Sequence, residues 1–176
     1  MGTPNRQAAG FERHHTATAY VVSEGRTLLL WHEKLRMWLP PGGHCEPNED
    51  PVQAATREAL EESGVAVEVV PPPDLVVCAG PLVLAPPAVI LIEDIVRDDQ
   101  PFHQHIDHVY YTRALHTVDF AAPIPHGIHR WVEAPLLEEA FSLPSPDGTL
   151  VPVAEDVRLL GIRAIAAVAA REPSRA

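Results

Sequence analysis

Cysteine, signal-like segments and long apolar runs are all scarce in this sequence. Cys45 and Cys78 are the only two cysteines among 176 residues, which argues against a disulfide framework and fits a reducing, cytoplasmic compartment. The first ten residues, MGTPNRQAAG, contain no apolar core, so we expect no signal peptide. Proline or charge interrupts the longest apolar stretches, and we therefore expect no membrane span.

Basic residues are also in deficit. Lysine and arginine total 13 against 24 aspartates and glutamates, and the formal net charge is -11. Such a surface repels nucleic-acid phosphates, so we expect no nucleic-acid partner. A small phosphate ester would be repelled for the same reason. The composition therefore allows phosphate chemistry only with the help of a metal ion or a local basic pocket.

The length of 176 residues fits a single domain. We expect a flexible segment at residues 1–12 and one domain at residues 13–172. Residues 35–41 read as a loop and residues 152–171 as a long helix. Strands are predicted at residues 16–23, 26–33, 42–46, 65–70, 75–79, 88–96, 109–115 and 128–132. Strands outnumber helices, which favours an α/β fold with a mixed sheet and helices packed on its faces.

The clearest helix follows Asp50. An aspartate at this position can cap the helix, Pro51 suits the first helical position, and Gln53 completes a capping box. Gly64 then provides a stop signal. The sequence therefore predicts a helix that begins after Asp50 and ends before Gly64.

Three acidic residues of this helix, Glu58, Glu61 and Glu62, have the spacing i, i+3 and i+4. They span an arc of roughly 100° on one helix face. Like charges at this spacing destabilise a helix, and the C-terminal half of the helix dipole disfavours anions. Only Arg57 offsets them nearby. The spacing alone leaves two interpretations open, a solvated acidic face and a divalent-cation site.

The surrounding residues match a longer pattern, G-x5-E-x7-R-E-U-x-E-E-x-G-U, in which U is apolar. Its fixed charged and glycine positions are Gly43, Glu49, Arg57, Glu58, Glu61, Glu62 and Gly64. This pattern resembles the Nudix box, and the flanking segments WLPPGGHCEPNE and RWVEAPLLEEAF extend the likeness over most of the chain. The sequence is therefore similar to the Nudix, or MutT-like, hydrolase family. Asn48 and Cys45 are mild departures from the residues usual in the family.

The resemblance implies an α/β/α sandwich, with a mixed sheet between helices. It also implies hydrolysis of a nucleoside diphosphate linked to another group. By the same likeness, Glu58, Glu61, Glu62 and the backbone carbonyl of Gly42 would hold Mg²⁺ or Mn²⁺. The partner would be a small-molecule nucleotide, and homodimers are common in the family.

The resemblance further implies roles for single residues. Glu58, Arg57 and Glu61 form the catalytic set, with Glu58 as the first choice for the general base and Arg57 orienting the glutamates. Glu49 would support the loop and helix or contact the metal through water. Gly43, like Gly64, would allow a tight backbone.

A second group of candidate residues lies in the segment HQHIDH. His103, His105, Asp107 and His108 could bind zinc, but their alternation also fits an edge strand with solvated histidines. A substrate or metal contact from His105 or Asp107 is a further alternative. We interpret the segment as an edge strand.

Other residues have weaker signals. Glu93 or Asp94 could supply an acid from outside the box, and His44 could line the pocket. Trp31 and Trp38 could stack a base, although core packing is the simpler interpretation.

Two other classes of function remain as rivals to a pyrophosphohydrolase. One is a non-catalytic nucleotide-binding module of the same fold, and the other is an isomerase of diphosphate substrates. The three repelling glutamates argue against a pure binding module. Nucleoside triphosphates, nucleotide sugars and ADP-ribose all stay open as substrates.

Overall fold

A computed structural model describes residues 11–97, 100–125 and 127–171 of the chain. Within these residues, eight strands form one mixed sheet. The strands are β1 (Glu12–Ser23), β2 (Arg26–His32), β3 (Met37–Leu39), β4 (Gly42–His44), β5 (Val67–Val69), β6 (Val89–Arg97), β7 (Gln100–Ala114) and β8 (His129–Glu133). Two further short strands, β9 (Ser142–Pro144) and β10 (Leu150–Pro152), form a separate hairpin.

The parallel pairing of β1 with β7 is the centre of the sheet. It aligns His14 with His105 and Tyr20 with Tyr111. The sheet continues from β1 through β2 to β3, and from β7 to β5. β4 pairs with the first half of β1, β6 with β7, and β8 with β2, all antiparallel. β4 therefore lies beside the half of β1 that contains His14 and Thr16.

Helices cover both faces of this sheet. Helix α1 (Pro51–Ser63) packs on one face, where its alanines meet Ala17, Ala19 and Val21 of β1. Helices α2 (Ala134–Glu138) and α3 (Glu155–Ala169) cover the other face, where Tyr20 and Val22 lie in the second core cluster. Alternating β1 side chains thus serve two different cores. The predicted α/β/α sandwich is confirmed.

Helix α1 begins as the sequence predicts. Asp50 Oδ1 accepts hydrogen bonds from the backbone N–H groups of Val52 and Gln53, each at 2.9 Å, and the Gln53 side chain accepts from Asp50 N. Gly64 ends the helix with φ +74°, a conformation that suits glycine, and its N–H donates to Leu60 O. The helix that bears the glutamates is therefore fixed at both ends.

The structure corrects two of the local predictions. The predicted loop at residues 35–41 contains β3, whose Trp38 pairs with Trp31 of β2. Residues 75–79, expected to be a strand, have no strand structure. Prolines surround that run, and Val76 and Val77 are 72% and 83% exposed, so the apolar residues gain no burial from pairing.

The segment HQHIDH is also placed differently from expectation. It lies in β7, which has β1 on one side and β6 on the other, so it is not an edge strand. The pairing partner in β1 is some ninety residues away in sequence, which local alternation does not show.

The predicted N-terminal segment lies mainly outside the described residues, whereas the predicted C-terminal helix is described in full. Of the flexible segment expected at residues 1–12, only Phe11 and Glu12 are described, and β1 begins at Glu12. The predicted helix at 152–171 is α3, which begins three residues later at Glu155. Among the described helices, none combines the length and the apolar character needed to cross a membrane.

The cap of α1 leads to a stability prediction. Asp50→Ala removes the acceptor for two backbone N–H groups and should lower the free energy of unfolding by about 1 kcal/mol, within a range of roughly 0.5–2 kcal/mol. Urea denaturation followed by circular dichroism measures this change. Asp74→Ala, at an exposed loop carboxylate, is the control and should change stability by less than about 0.5 kcal/mol. Equal effects of the two substitutions would contradict the proposed importance of the cap.

Candidate metal and catalytic site

The guanidinium of Arg57 organises the acidic end of α1. Its Nε and Nη2 donate to the two carboxylate oxygens of Glu49, each at 2.9 Å. Its Nη1 donates to Glu58 Oε1 at 2.8 Å and to Glu61 Oε2 at 3.1 Å, and Nη2 also donates to the His44 carbonyl at 3.0 Å. All five N–H donors of the arginine are thereby used. One side chain ties α1 to the preceding loop and to β4.

These contacts perturb ionisation in the direction that keeps the cluster charged. The hydrogen bonds to Glu49 hold the pKa of Arg57 above its ordinary value. In return, the hydrogen bonds from Arg57 hold the pKa of Glu49 below its ordinary value of 4.5. Glu49 is largely shielded, with a side chain 13% exposed, whereas that of Glu61 is 57% exposed. The Arg57–Glu49 pair is thus the shielded anchor, and Glu61 lies at the open side.

Residues 42 and 43 must be glycine for steric reasons, because a Cβ atom at either position would clash with its neighbours. A Cβ atom built at Gly43 would lie 2.3 Å from Glu58 Oε1, closer than any real contact. One built at Gly42 would lie 2.9 Å from the carbonyl oxygen of Ala17. The Gly42 N–H also donates to Glu62 Oε2 at 3.1 Å. The glycine pair therefore brings the backbone of β4 against two of the glutamates.

The donor set fits a hard divalent cation. Glutamate oxygens and a backbone carbonyl are the ligands that Mg²⁺ and Mn²⁺ take in proteins. The carboxylates of Glu58 and Glu61 are turned towards Arg57 and that of Glu62 towards Gly42 N. Each carboxylate has about four lone-pair positions, so these bonds leave capacity for a cation. Binding would draw the three groups together.

The outlying acids of the sequence prediction do not join this cluster. Asp94 accepts a hydrogen bond from Gln104 at 2.7 Å, and Asp107 accepts one from Thr16 at 3.0 Å. Burial raises the pKa of Asp107, and burial followed by the nearby Asp107 raises the pKa of Glu93. These acids lie along β6 and β7, and no contact with Glu58 is seen among the described residues.

The histidines of HQHIDH separate into two groups. His108 lies 2.9 Å from His15 on one face of the sheet, between Nε2 and Nδ1. His103 and His105 point to the other face, where they meet His14 of β1. Sequence reasoning did not single out His14, because only the register of β1 against β7 places it there.

His105 and His44 are electrostatically perturbed. Burial, with smaller contributions from His44, His103 and His14, lowers the pKa of His105 to about 4. Burial also lowers the pKa of His44, which lies between the histidines and the glutamates. Both rings are therefore neutral at pH 7.

Trp31 and Trp38 pack in the core, as the simpler interpretation expects. They are 5% and 1% exposed, and their rings meet edge to face at 5.6 Å. Neither is available to stack a nucleotide base.

Comparison with known proteins places this geometry in context. A sequence model described as the NUDIX domain matches residues 12–152. The crystal structure of a NUDIX-family hydrolase from Clostridium perfringens superposes with a TM-score of 0.68 at 28% identity, over 90% of this chain and 99% of that one. The MutT protein from Methanosarcina mazei Go1 superposes with a TM-score of 0.55 at 20% identity, over 89% and 97% of the two chains. The second likeness concerns the fold alone.

A curated relative matches over a shorter stretch. Phosphatase NudJ of Escherichia coli K12 is 36% identical over 61 residues, which are 33% of this chain and 39% of NudJ. The match therefore spans about two fifths of the length of that relative.

The depressed pKa of Glu49 gives a pH dependence with a definite sign. Below about pH 4.5, the ordinary pKa of this carboxyl, Glu49 takes up a proton in the unfolded chain but not in the folded chain. The free energy of unfolding therefore falls as the pH falls through that range. Glu49→Gln removes this contribution. In metal-free buffer, its free energy of unfolding should change less between pH 6 and pH 3 than that of the unsubstituted chain.

The control for this experiment is Glu24→Gln, at an exposed turn residue. Urea titrations at several pH values should show that its free energy of unfolding changes with pH as much as that of the unsubstituted chain. If Glu49→Gln retains that pH dependence as well, the ion pair with Arg57 does not govern the acid response.

Proposed function

The chain belongs to the NUDIX domain family, and from this premise we propose that it is a divalent-metal-dependent pyrophosphohydrolase. Family members are hydrolases of nucleoside diphosphate derivatives. We propose that this chain cleaves the diphosphate linkage of a nucleoside diphosphate joined to another group, such as a nucleoside triphosphate, a nucleotide sugar or an ADP-ribose-like compound. Residues 13–172 would form the single catalytic domain.

The observation that carries the proposal is the charge balance of the box. Arg57 donates to three carboxylates, those of Glu49, Glu58 and Glu61, and the Glu62 carboxylate accepts a hydrogen bond from the Gly42 N–H. Such a site repels a diphosphate unless cations enter with it. Mg²⁺ or Mn²⁺ would supply that charge, held by Glu58, Glu61, Glu62 and the Gly42 carbonyl, and would lower the pKa of bound water.

The protein's own groups then have separate tasks. Arg57 holds Glu58 and Glu61 in fixed directions, and Glu49 holds Arg57 through two parallel hydrogen bonds. Glu58 takes the proton of the attacking water. The new bond forms between the water oxygen and one phosphorus, and the bond from that phosphorus to the bridging oxygen breaks. The leaving phosphate carries away the electron pair of that bond.

Positioning is the main contribution expected from the chain. Phosphoryl transfer needs aligned groups and charge stabilisation more than a covalent intermediate. The tight approach of β4 to α1 supplies alignment, since Gly43 brings its backbone against the Glu58 carboxylate. A serine or cysteine nucleophile is not required.

A substrate panel tests the proposal. Nucleoside triphosphates, nucleotide sugars and ADP-ribose are incubated with Mg²⁺ and then Mn²⁺, and anion exchange resolves the products. We expect cleavage at the diphosphate of one class, and Glu62→Gln should lower its rate by at least about ten- to a hundredfold. Glu138→Gln, an exposed glutamate at the end of α2, should leave the rate unchanged.

The remaining outcomes also decide between functions. Nucleotide binding without cleavage would favour the non-catalytic binding module. Cleavage that Glu62→Gln leaves intact would place the chemistry outside the Nudix box.

Gly43→Ala separates geometry from stability. The added methyl group must displace the Glu58 carboxylate, which is the end of a flexible side chain. The free energy of unfolding should therefore fall by no more than about 1–3 kcal/mol. The displaced carboxylate should lower kcat at least about tenfold at a temperature where the variant is folded. Gly161→Ala, whose methyl would meet Leu137 at 3.2 Å in the contact between α2 and α3, should change Tm but not kcat. An unchanged kcat in Gly43→Ala would contradict the role given to Glu58.

A further inference from the structure

Three histidines converge on the sheet face opposite α1. His14 lies on β1, and His103 and His105 lie on β7. One potential ligand atom from each lies within 4.8 Å of the other two, and in the described ranges of the chain this is the one such group of histidine, cysteine or acidic side chains. Parallel pairing creates the group, since it places His14 directly beside His105 and Glu12 beside His103.

Two of the three imidazoles already have one nitrogen in contact with an oxygen atom. His14 Nε2 lies 3.3 Å from Glu12 Oε2, and His103 Nδ1 lies 3.0 Å from the Pro101 carbonyl oxygen. A histidine that binds a metal usually donates its second nitrogen to a carboxylate or a carbonyl. Nδ1 of His14 and Nε2 of His103 are therefore the nitrogens left for a ligand.

His105 provides the most direct indication of a ligand. Its Nδ1 lies 4.0 Å from Glu93 Oε2, and its Nε2 is buried without a hydrogen-bond partner among the described residues. A buried polar atom without a hydrogen-bond partner destabilises the folded state. The ring centroid of His103 lies 4.9 Å from that of His14 and 5.2 Å from that of His105, but neither ring forms a hydrogen bond with His105 Nε2. A bound metal ion would give that nitrogen a partner.

We propose that His14, His103 and His105 bind a transition-metal ion of the Zn²⁺ class, at a site distinct from the glutamates of α1. Imidazole nitrogen suits Zn²⁺, whereas Mg²⁺ prefers oxygen ligands, so the two sites differ in the metal they select. A tetrahedral site with Zn–N bonds of about 2.0–2.1 Å needs ligand nitrogens about 3.4 Å apart. The three ligand nitrogens now lie within 4.8 Å of one another, and small rotations of the rings would bring them to that spacing.

Three protein ligands leave a fourth position at such a site. The His44 ring is adjacent, with its centroid 4.8 Å from that of His105 and 5.3 Å from that of His14. Its backbone carbonyl accepts a hydrogen bond from Arg57, so β4 connects the two metal sites. The fourth position therefore belongs to His44 or to a water molecule beside it. The histidine site is independent of the proposed pyrophosphohydrolase activity.

Zinc binding to the purified chain of 176 residues tests the site. After treatment with chelator and dialysis, isothermal titration with Zn²⁺ in excess Mg²⁺ should give one equivalent bound with micromolar or tighter Kd. His14→Gln and His105→Gln should each weaken this binding at least about tenfold. Co²⁺, added as an optical probe, should give the strong visible absorption of a four-coordinate site, and the two variants should lose it.

Two controls separate this site from other binding. His116→Gln alters an exposed histidine of the loop after β7 and should leave Zn²⁺ binding unchanged. Glu62→Gln alters the Nudix box and should also leave it unchanged. His103 is 8% exposed, so the test uses His14 and His105, which are less buried, and circular dichroism verifies that each variant is folded.

Three outcomes would overturn the proposal. The first is the absence of stoichiometric Zn²⁺ on the unsubstituted chain. The second is unchanged Zn²⁺ affinity in a folded His14→Gln variant. The third is loss of Zn²⁺ binding in Glu62→Gln alone, which would assign the ion to the glutamates.

Discussion

The hydrogen bonds of Arg57 are the constraint on which the box depends. A helix gains nothing from adjacent glutamates in its last turns, since they repel one another and oppose the helix dipole. One guanidinium compensates by donating to Glu49, Glu58, Glu61 and the His44 carbonyl at once. A lysine at this position would offer three donors without the planar fork. The identity of the residue is thus set by geometry as much as by charge.

Close backbone approach is the second requirement, and it comes from glycine. Gly43 is needed because the Glu58 carboxylate occupies the space of a side chain, whereas Gly64 is needed because its backbone has a positive φ. The same residue type therefore has two physical roles at the two ends of one motif. Sequence spacing identifies both positions but does not distinguish the reasons.

Much of the fold was readable from local signals. The cap at Asp50 and the stop at Gly64 defined α1 to the residue, because capping depends on neighbours within a few positions. The Nudix pattern gave the sandwich and the family. Errors arose where local composition does not reveal whether a segment has a pairing partner. Residues 75–79 have strand composition but no partner strand, and HQHIDH reads as an edge although two strands enclose it.

The candidate site divides in the same way. The arginine and glutamates lie within a short stretch, so their association follows from helix periodicity and one loop. The histidine group does not, because His14 is brought to His105 only by the parallel pairing of β1 with β7. A motif confined to one segment is visible in a sequence. A cluster assembled from two distant strands becomes visible only with the register.

That parallel pairing also determines the order in which parts of the chain can fold during synthesis. β1 leaves the ribosome long before its partner, since hydrogen-bonded residues of the two strands, such as Thr16 and Asp107, are 91 positions apart. At about 5–20 residues per second, β1 waits roughly 5 to 20 seconds for β7. During that interval α1 can form with its own cap, but the central pairing of the sheet is absent. The histidine cluster is therefore assembled only once β7 has been made, after the segment that bears the glutamate motif.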